Sequence, residues 1–262
     1  MTQVQDRVNV REGVVFGTGG GRDLRCDIFE PPPGIANGIG VLLVHGGGWS
    51  SGDRSQLRGY GILLGRRGYF CLASEYRLTG EQLWPAQIED VKAAIRYLRA
   101  NAAEFGIDPE KIVIEGNSAG GHLSLMAAGT PDMPQFEGTG GNAGVSTKVA
   151  AAIAFYPPTG LERRAWGGLP SLFGPGASQE TLKTASPLTY ATKGYPPTLL
   201  IQGNADDVVP AREATAMYDA LHAAGVPVEM HMYANQPHAF DADPKLGRQC
   251  AEIMASFIER VL

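Results

Sequence analysis

Residues 111–127 read KIVIEGNSAGGHLSLMA: an apolar run, a serine with glycines two residues to either side, then small and apolar residues. Two explanations compete for the glycines around Ser118. One is composition. With 35 Gly in 262 residues, a chance Gly-x-Ser-x-Gly is expected in roughly one such chain in five, so the pentapeptide alone is a weak signal. The other is a strained strand-to-helix turn that lifts a serine hydroxyl above the edge of a sheet, which needs small residues on both sides. The rest of the chain decides between them.

Apolar runs like 111–115 recur. Strands are read at DLRCDIF (23–29), IGVLLVH (39–45), YFCLASEY (69–76), KIVIEG (111–116), VAAAIAFY (149–156), PTLLIQG (197–203) and PVEMHMY (227–233), with an earlier one near GVVFG (13–17). The near-continuous apolar character of IGVLLVH and VAAAIAFY suits strands covered on both faces, as in a parallel sheet. Helical patterns lie between them. The clearest is WPAQIEDVKAAIRYLRANAAEFG (84–106), with Pro85 suited to a first helical position and Ile88, Val91, Ile95 and Leu98 on one face. Further helices are expected to begin near Gln56, Ser118, Ala211 and Pro244. The alternation predicts an α/β fold: a mostly parallel, eight-stranded sheet with helices on both faces.

Two stretches break that rhythm. Residues 129–148, GTPDMPQFEGTGGNAGVSTK, read as a surface loop. Residues 157–187 set Trp166, Leu172 and Phe173 among breakers, and read either as a small lid over a site or as an ordinary packed excursion. No internal repeat or low-complexity tract is present, so residues 1–262 are expected to form one domain, with 157–187 as a possible lid insertion.

Composition limits the function classes. A hydrophobic content of 44% with 19% charged residues supports a real core. The net charge of -5 and the lack of a Lys/Arg cluster argue against nucleic acid as a partner. No apolar stretch is long enough to span a bilayer, and MTQVQDRVNVREG lacks a leader-like apolar segment. Cys26, Cys71 and Cys250 are far apart and odd in number, with no Cys-x-x-Cys pair for zinc or redox chemistry. A cytoplasmic protein, monomer or homodimer, is the expectation.

Chemistry-bearing residues gather where the strands end. IGVLLV runs into HGGGW, KIVIE into GNSAG, PTLLIQ into GNADD, and PVEMHMY into ANQPHAF. In open α/β sheets ligands bind beyond the carboxyl ends of the strands. One serine, two candidate aspartates and one histidine would thus meet at one edge. The five histidines can be sorted by place. His45 opens the glycine loop and is read as holding its shape. His122 lies one turn into the helix after Ser118 and is read as structural. His222 falls in an amphipathic helix and His231 inside a strand. Only His238 stands in a loop just past a strand, where a general base could reach a serine hydroxyl. Asp206 and Asp207 are the candidates to orient its ring, and the order serine, aspartate, histidine fits this arrangement. Gly46–Gly48 offer unobstructed backbone N–H groups, and Ala119 adds one at a helix start, where the dipole favours negative charge. The glycines match neither a phosphate loop nor a dinucleotide fingerprint.

With HGGGW, EYRL, WPAQIEDVKAAIRYLRANAAEFGIDPEKI, GNSAGGHLSLMA, FYPPTGL, ASPLTY, PPTLLIQGNADDVVP and PHAF in view, the sequence resembles the α/β-hydrolase superfamily. Within it, the resemblance is to hormone-sensitive-lipase-like carboxylesterases and small bacterial esterases with a feruloyl-esterase-like domain, over roughly Leu24 to Leu262. The resemblance implies Ser118 as nucleophile, Asp206 as acid, His238 as base, and Gly47, Gly48 and Ala119 as oxyanion donors. It implies hydrolysis of carboxylic esters of small molecules through an acyl-enzyme, with no cofactor and no metal; short connections after the strands and little room for an N-terminal cap point to short acyl chains. An aryl-formamidase, amidase or peptidase would use the same residues, and a non-catalytic small-molecule binding protein is a third reading. Trp49, Trp84, Tyr156 and Trp166 are read as apolar lining of the substrate pocket, and equally suit simple core. Two residues depart from the family pattern: Gln202 where His is common, and Ala239 where Gly often follows the base. Because the first sheet pattern begins by about Val14, no long N-terminal helical cap fits, and an open site is expected.

Overall fold

The computed structural model describes residues 7–163 and 172–262. Eight strands form one sheet in the order β1-β2-β4-β3-β5-β6-β7-β8. They are β1 (Asn9–Gly19), β2 (Arg22–Glu30), β3 (Gly40–Val44), β4 (Phe70–Ser74), β5 (Ile112–Asn117), β6 (Ala151–Phe155), β7 (Thr198–Gly203) and β8 (Val228–Tyr233). β2 runs antiparallel to β1 and β4, and all neighbours from β4 to β8 are parallel. β1 is longer than its apolar motif. Register shifts between Arg11 and Val14 and between Val15 and Gly17 interrupt the period-two pattern, which is the signal a strand leaves in sequence.

Helices cover both faces. α1 (Arg58–Gly65) lies on one face, and α2 (Ala86–Ala100), the short α3 (Ala102–Phe105) and α4 (Ala119–Gly129) on the other. α5 (Gln179–Thr184) and α6 (Arg212–Ala223) follow, and α7 (Pro244–Val261) closes the chain. Ile88, Val91, Ile95 and Leu98 of α2 pack with Leu42, Val44, Ile114 and Ala154. On the opposite face Tyr60 and Leu64 of α1 and Met254, Phe257 and Ile258 of α7 pack with Val41, Leu43, Val113 and Ile153. Successive residues of β3 thus enter opposite cores, the physical reason that strand reads as an unbroken apolar run. The helix expected over 84–106 is two helices. The backbone departs from helical values at Asn101 (φ -104, ψ 15), and Gly106 ends the second in the left-handed region (φ 66). Pro85 stands just before α2 rather than inside it.

The stretch 129–148 is pinned to α2 by charge. Lys92, its side chain fully buried, meets Glu137 at 2.7 Å, and Arg96 meets the same carboxylate at 2.8 Å. Lys92 also donates to Thr130 O, and Arg96 Nε to Gly141 O. Phe136 is buried beside them. Burial lowers the Lys92 pKa, and Glu137 opposes that shift. Described parts of 157–187 also pack inward: Leu161 and Leu172 are buried, and Trp84 N–H donates to Leu172 O at 2.9 Å. No helix among the described residues is long and apolar enough to cross a membrane.

Removing one side of a buried ion pair strands the other charge, whereas replacing the buried charge by an apolar group also removes its desolvation cost. Glu137→Ala is therefore expected to destabilise by about 3 kcal/mol in urea unfolding. Lys92→Met, which leaves Glu137 with Arg96, should cost less than about 1 kcal/mol; the reverse order would contradict this account.

Candidate active site

The strand register brings the loops together. Val44 pairs with Gly116, Asn117 with Phe155, Phe155 with Ile201, and Gly203 with Tyr233, so the carboxyl ends of β3, β5, β6, β7 and β8 lie along one edge. Ser118 stands immediately after β5, with φ 54 and ψ -115. That left-handed φ is uncommon for a residue with a side chain and marks stored strain. Its N–H donates to Phe155 O at 2.9 Å, and its carbonyl accepts from His122 N at 2.9 Å.

The flanking glycines are required by contact. A Cβ on Gly120 would stand 2.0 Å from Val44 O, and one on Gly116 would stand 2.3 Å from Gly120 O. Any side chain at either place would push α4 off the strand ends.

His238 lies in the loop after β8. Its Nε2 is 2.9 Å from Ser118 Oγ, and its Nδ1 is 2.7 Å from Asp206 Oδ2. A carboxylate only accepts, so this contact assigns the ring proton to Nδ1 and leaves Nε2 to accept from the serine. Asp206 is held from several sides: Oδ1 accepts from Val208 N (2.9 Å) and Val209 N (2.7 Å), and Oδ2 from Gln202 Nε2 (3.2 Å). Gln202, the departure noted in the sequence, braces the acid loop and also donates to Val209 O. The loop is stitched to its neighbour by Ala205 N–H to Gln236 O and Asn204 N–H to Tyr233 O, both 3.0 Å. Asp207, next to Asp206, is exposed. The acid in the first turn of α6 is Glu213, which accepts from Gly160 N at 3.0 Å. Ala239, the second departure, has φ 55 and ψ 31, the left-handed conformation that glycine adopts most easily.

Beside Ser118 runs the glycine loop. Gly47 and Gly48 have φ 116 and 58, and a Cβ on Gly47 would meet Ser51 O at 2.1 Å. Gly47 O accepts from Ser51 N (3.0 Å) and Ser51 Oγ (2.9 Å). His45 is buried, donates through Nδ1 to Gly46 O at 2.7 Å, and stacks on Tyr76 at 4.3 Å; burial lowers its pKa. Ala119 opens α4, where the first N–H groups have no intrahelical acceptor.

The four aromatic candidates differ. Trp49 is only 3% exposed; its Nε1–H donates to His122 Nδ1 at 3.3 Å. His122 Nε2–H donates to Ala185 O at 2.8 Å, and burial lowers the ring's pKa to about 4. Trp84 is half-buried and lies against His122, Phe136 and Phe173. Tyr156, also 3% exposed, sits behind His238 with ring centroids 4.5 Å apart. Trp166 lies outside the described residues. Sequence reasoning passed over Asn117 and Asp241, whose side chains meet behind the histidine at 2.8 Å. Asn117 lies within the serine motif itself, and no spacing marks Asp241 as inward-facing. Among the described residues no His, Cys, Asp and Glu side chains gather so as to hold a metal ion.

Comparison with known proteins places this arrangement. The BD-FAE family model matches residues 26–221. A probable carboxylic ester hydrolase, LipM of Mycobacterium tuberculosis, is 33% identical over 92% of this chain and 58% of its own length. Esterase LipQ of the same organism is 32% identical over 91% of this chain and 60% of its own. This chain therefore spans about three fifths of the length of these curated relatives. Esterase 2 of Thermogutta terrifontis is 27–28% identical, over 99% of this chain and 95–96% of that one, with TM-scores of 0.82–0.84; its solved forms include one with butyrate bound and one phosphorylated by paraoxon. By the extent of the family match, and with a sheet and helices that align along their whole length with an esterase of that fold, the chain belongs to the BD-FAE family of α/β-hydrolases.

Proposed function

We propose that the protein is a serine carboxylesterase acting on short-chain esters. The observation that carries this reading is the relay from Ser118 Oγ to His238 Nε2 (2.9 Å) and from His238 Nδ1 to Asp206 (2.7 Å). His238 takes the hydroxyl proton as Ser118 Oγ attacks the ester carbonyl, and Asp206 holds the ring in the needed tautomer and stabilises its cation. The oxyanion is received by the N–H groups of Gly47, Gly48 and Ala119. Loss of one such donor typically costs about 2.7–4 kcal/mol in the transition state. The intermediate collapses, His238 Nε2–H protonates the departing alkoxide, and the acyl group stays on Ser118. Water then gives a proton to His238 and attacks the acyl carbon. Collapse returns the proton to Ser118 Oγ and releases the acid. The named activities of LipM and LipQ and the paraoxon adduct of the Thermogutta esterase support the reading.

The butyrate bound to that same esterase supports a small acyl group. Each buried methylene adds only about 0.8 kcal/mol, and only where a wall receives it.

Ser118→Ala should fold normally and lose p-nitrophenyl acetate turnover by several orders of magnitude; a folded variant with unaltered turnover would refute the assignment. Asp206→Asn should lower turnover by about 10³ to 10⁴, while Asp207→Asn should change it less than about tenfold, both read on the same ester. Across a series of p-nitrophenyl esters, kcat/KM should be higher for acetyl to butyryl than for dodecanoyl. A value still rising beyond octanoyl would reveal a deep acyl tunnel.

A further inference from the structure

Behind His238 lies a polar cluster that the relay does not use. Asp241 follows the histidine by three residues, in the 3-10 turn Phe240–Ala242. Its Oδ1 accepts from Tyr156 OH, and its Oδ2 accepts from Tyr60 OH and Asn117 Nδ2, both at 2.8 Å. Asn117 Nδ2 donates to Tyr156 OH as well, at 2.9 Å. The donors come from three places: Tyr60 from α1, Asn117 from the end of β5 just before Ser118, and Tyr156 from the residue after β6. No cation pairs with Asp241 among the described residues.

Only an acceptor with two oxygens satisfies all three donors. Burial and the neighbouring Asp241 charge raise both tyrosine pKa values, which keeps the phenols protonated as donors. Glu115, fully buried with both carboxyl oxygens unpartnered, is driven toward its neutral form by burial and by Asp241. Between this cluster and the imidazole stands the Tyr156 ring, itself at φ 37. Ala239, in the same loop, has a left-handed conformation that an alanine does not prefer by itself. Something tertiary must hold the loop in that shape.

From this we infer that Asp241 is a positioning residue for the proposed reaction. Its carboxylate ties the loop carrying His238 to Asn117, the neighbour of Ser118, and to Tyr156, the support of the imidazole, and so sets the distance from Nε2 to Oγ. The inference rests on the esterase reading above. Asp241→Asn keeps the shape but exchanges one acceptor oxygen for an NH2 group, so the three donors can no longer all be accepted by this side chain.

The test compares wild type, Asp241→Asn and Ser118→Ala on p-nitrophenyl acetate, with active sites counted by a fluorophosphonate probe. Misplacement of a reacting group by about 1 Å can cost about 10²-fold. Per titrated site, Asp241→Asn is expected to lower kcat by about 10- to 100-fold, with KM moving less than about twofold. A purely structural role would reduce the number of active sites and leave kcat per site unchanged, and that result overturns the proposal. If Asp241→Asn does not fold, Tyr156→Phe decides. It keeps the ring beside His238 and removes only the hydroxyl, so a fall in kcat per site supports the inference and wild-type kcat overturns it. Unaltered turnover in Ser118→Ala would instead mean that the esterase reading itself has failed.

Discussion

The structure depends on how closely the helix after Ser118 approaches the strand ends. Gly120 lies against Val44 O and Gly116 against Gly120 O, at separations that leave no room for a Cβ. This contact lets α4 begin directly over the seam between β3 and β5 and forces Ser118 to a left-handed φ of 54. Such a conformation costs on the order of 1–3 kcal/mol. It persists because its surroundings over-determine it: residues 119–128 of α4 are all buried, and both backbone polar groups of Ser118 are hydrogen-bonded. The hydroxyl is therefore lifted out of the sheet by packing that extends well beyond the site.

Each remaining part of the site is held by a similar constraint on a different strand. The acid loop after β7 turns inward because Asp206 accepts from two backbone N–H groups and from Gln202. A Cβ on Gly203 would meet Gln236 O at 2.3 Å, so the loop carrying Asp206 and the loop carrying His238 touch through backbone. The glycine loop after β3 takes its shape from His45 inside and Ser51 outside. Trp49, which ends that loop at φ 61, is fastened through its indole N–H to His122 and onward to Ala185. These bonds link the glycine loop, α4 and the segment after β6, so the pieces around the serine form one hydrogen-bonded frame.

Much of this was legible in the sequence. The apolar runs named all eight strands, β1 only in part, and the parallel class, since strands covered on both faces cannot hide their composition. The HGGGW and GNSAG segments carried the glycine requirement openly, because a backbone approach that excludes a Cβ leaves only one residue type to choose. The histidine followed from elimination. Harder to read were features whose partners are remote. The left-handed Ala239 has no glycine to announce it, and the break at Asn101 interrupts a helix whose apolar period continues across it.

By itself, then, the sequence determined the α/β class, the strand-end location of the serine, acid and histidine, and the glycine loop beside them. All of these depend on local period or on a residue's own backbone demands. Only the tertiary structure decided the pairing of polar groups. Glu137 in an apparent surface loop neutralises buried Lys92 and Arg96 of α2. Asp241 takes its three donors from residues 181, 124 and 85 positions away. The choice between the adjacent acids is different: the family resemblance had already indicated Asp206, and the fold adds its contact with His238, 32 residues further on. A buried charge or carboxylate must find its partners when the core closes around it, and neither spacing nor composition along the chain says which distant side chain will be there.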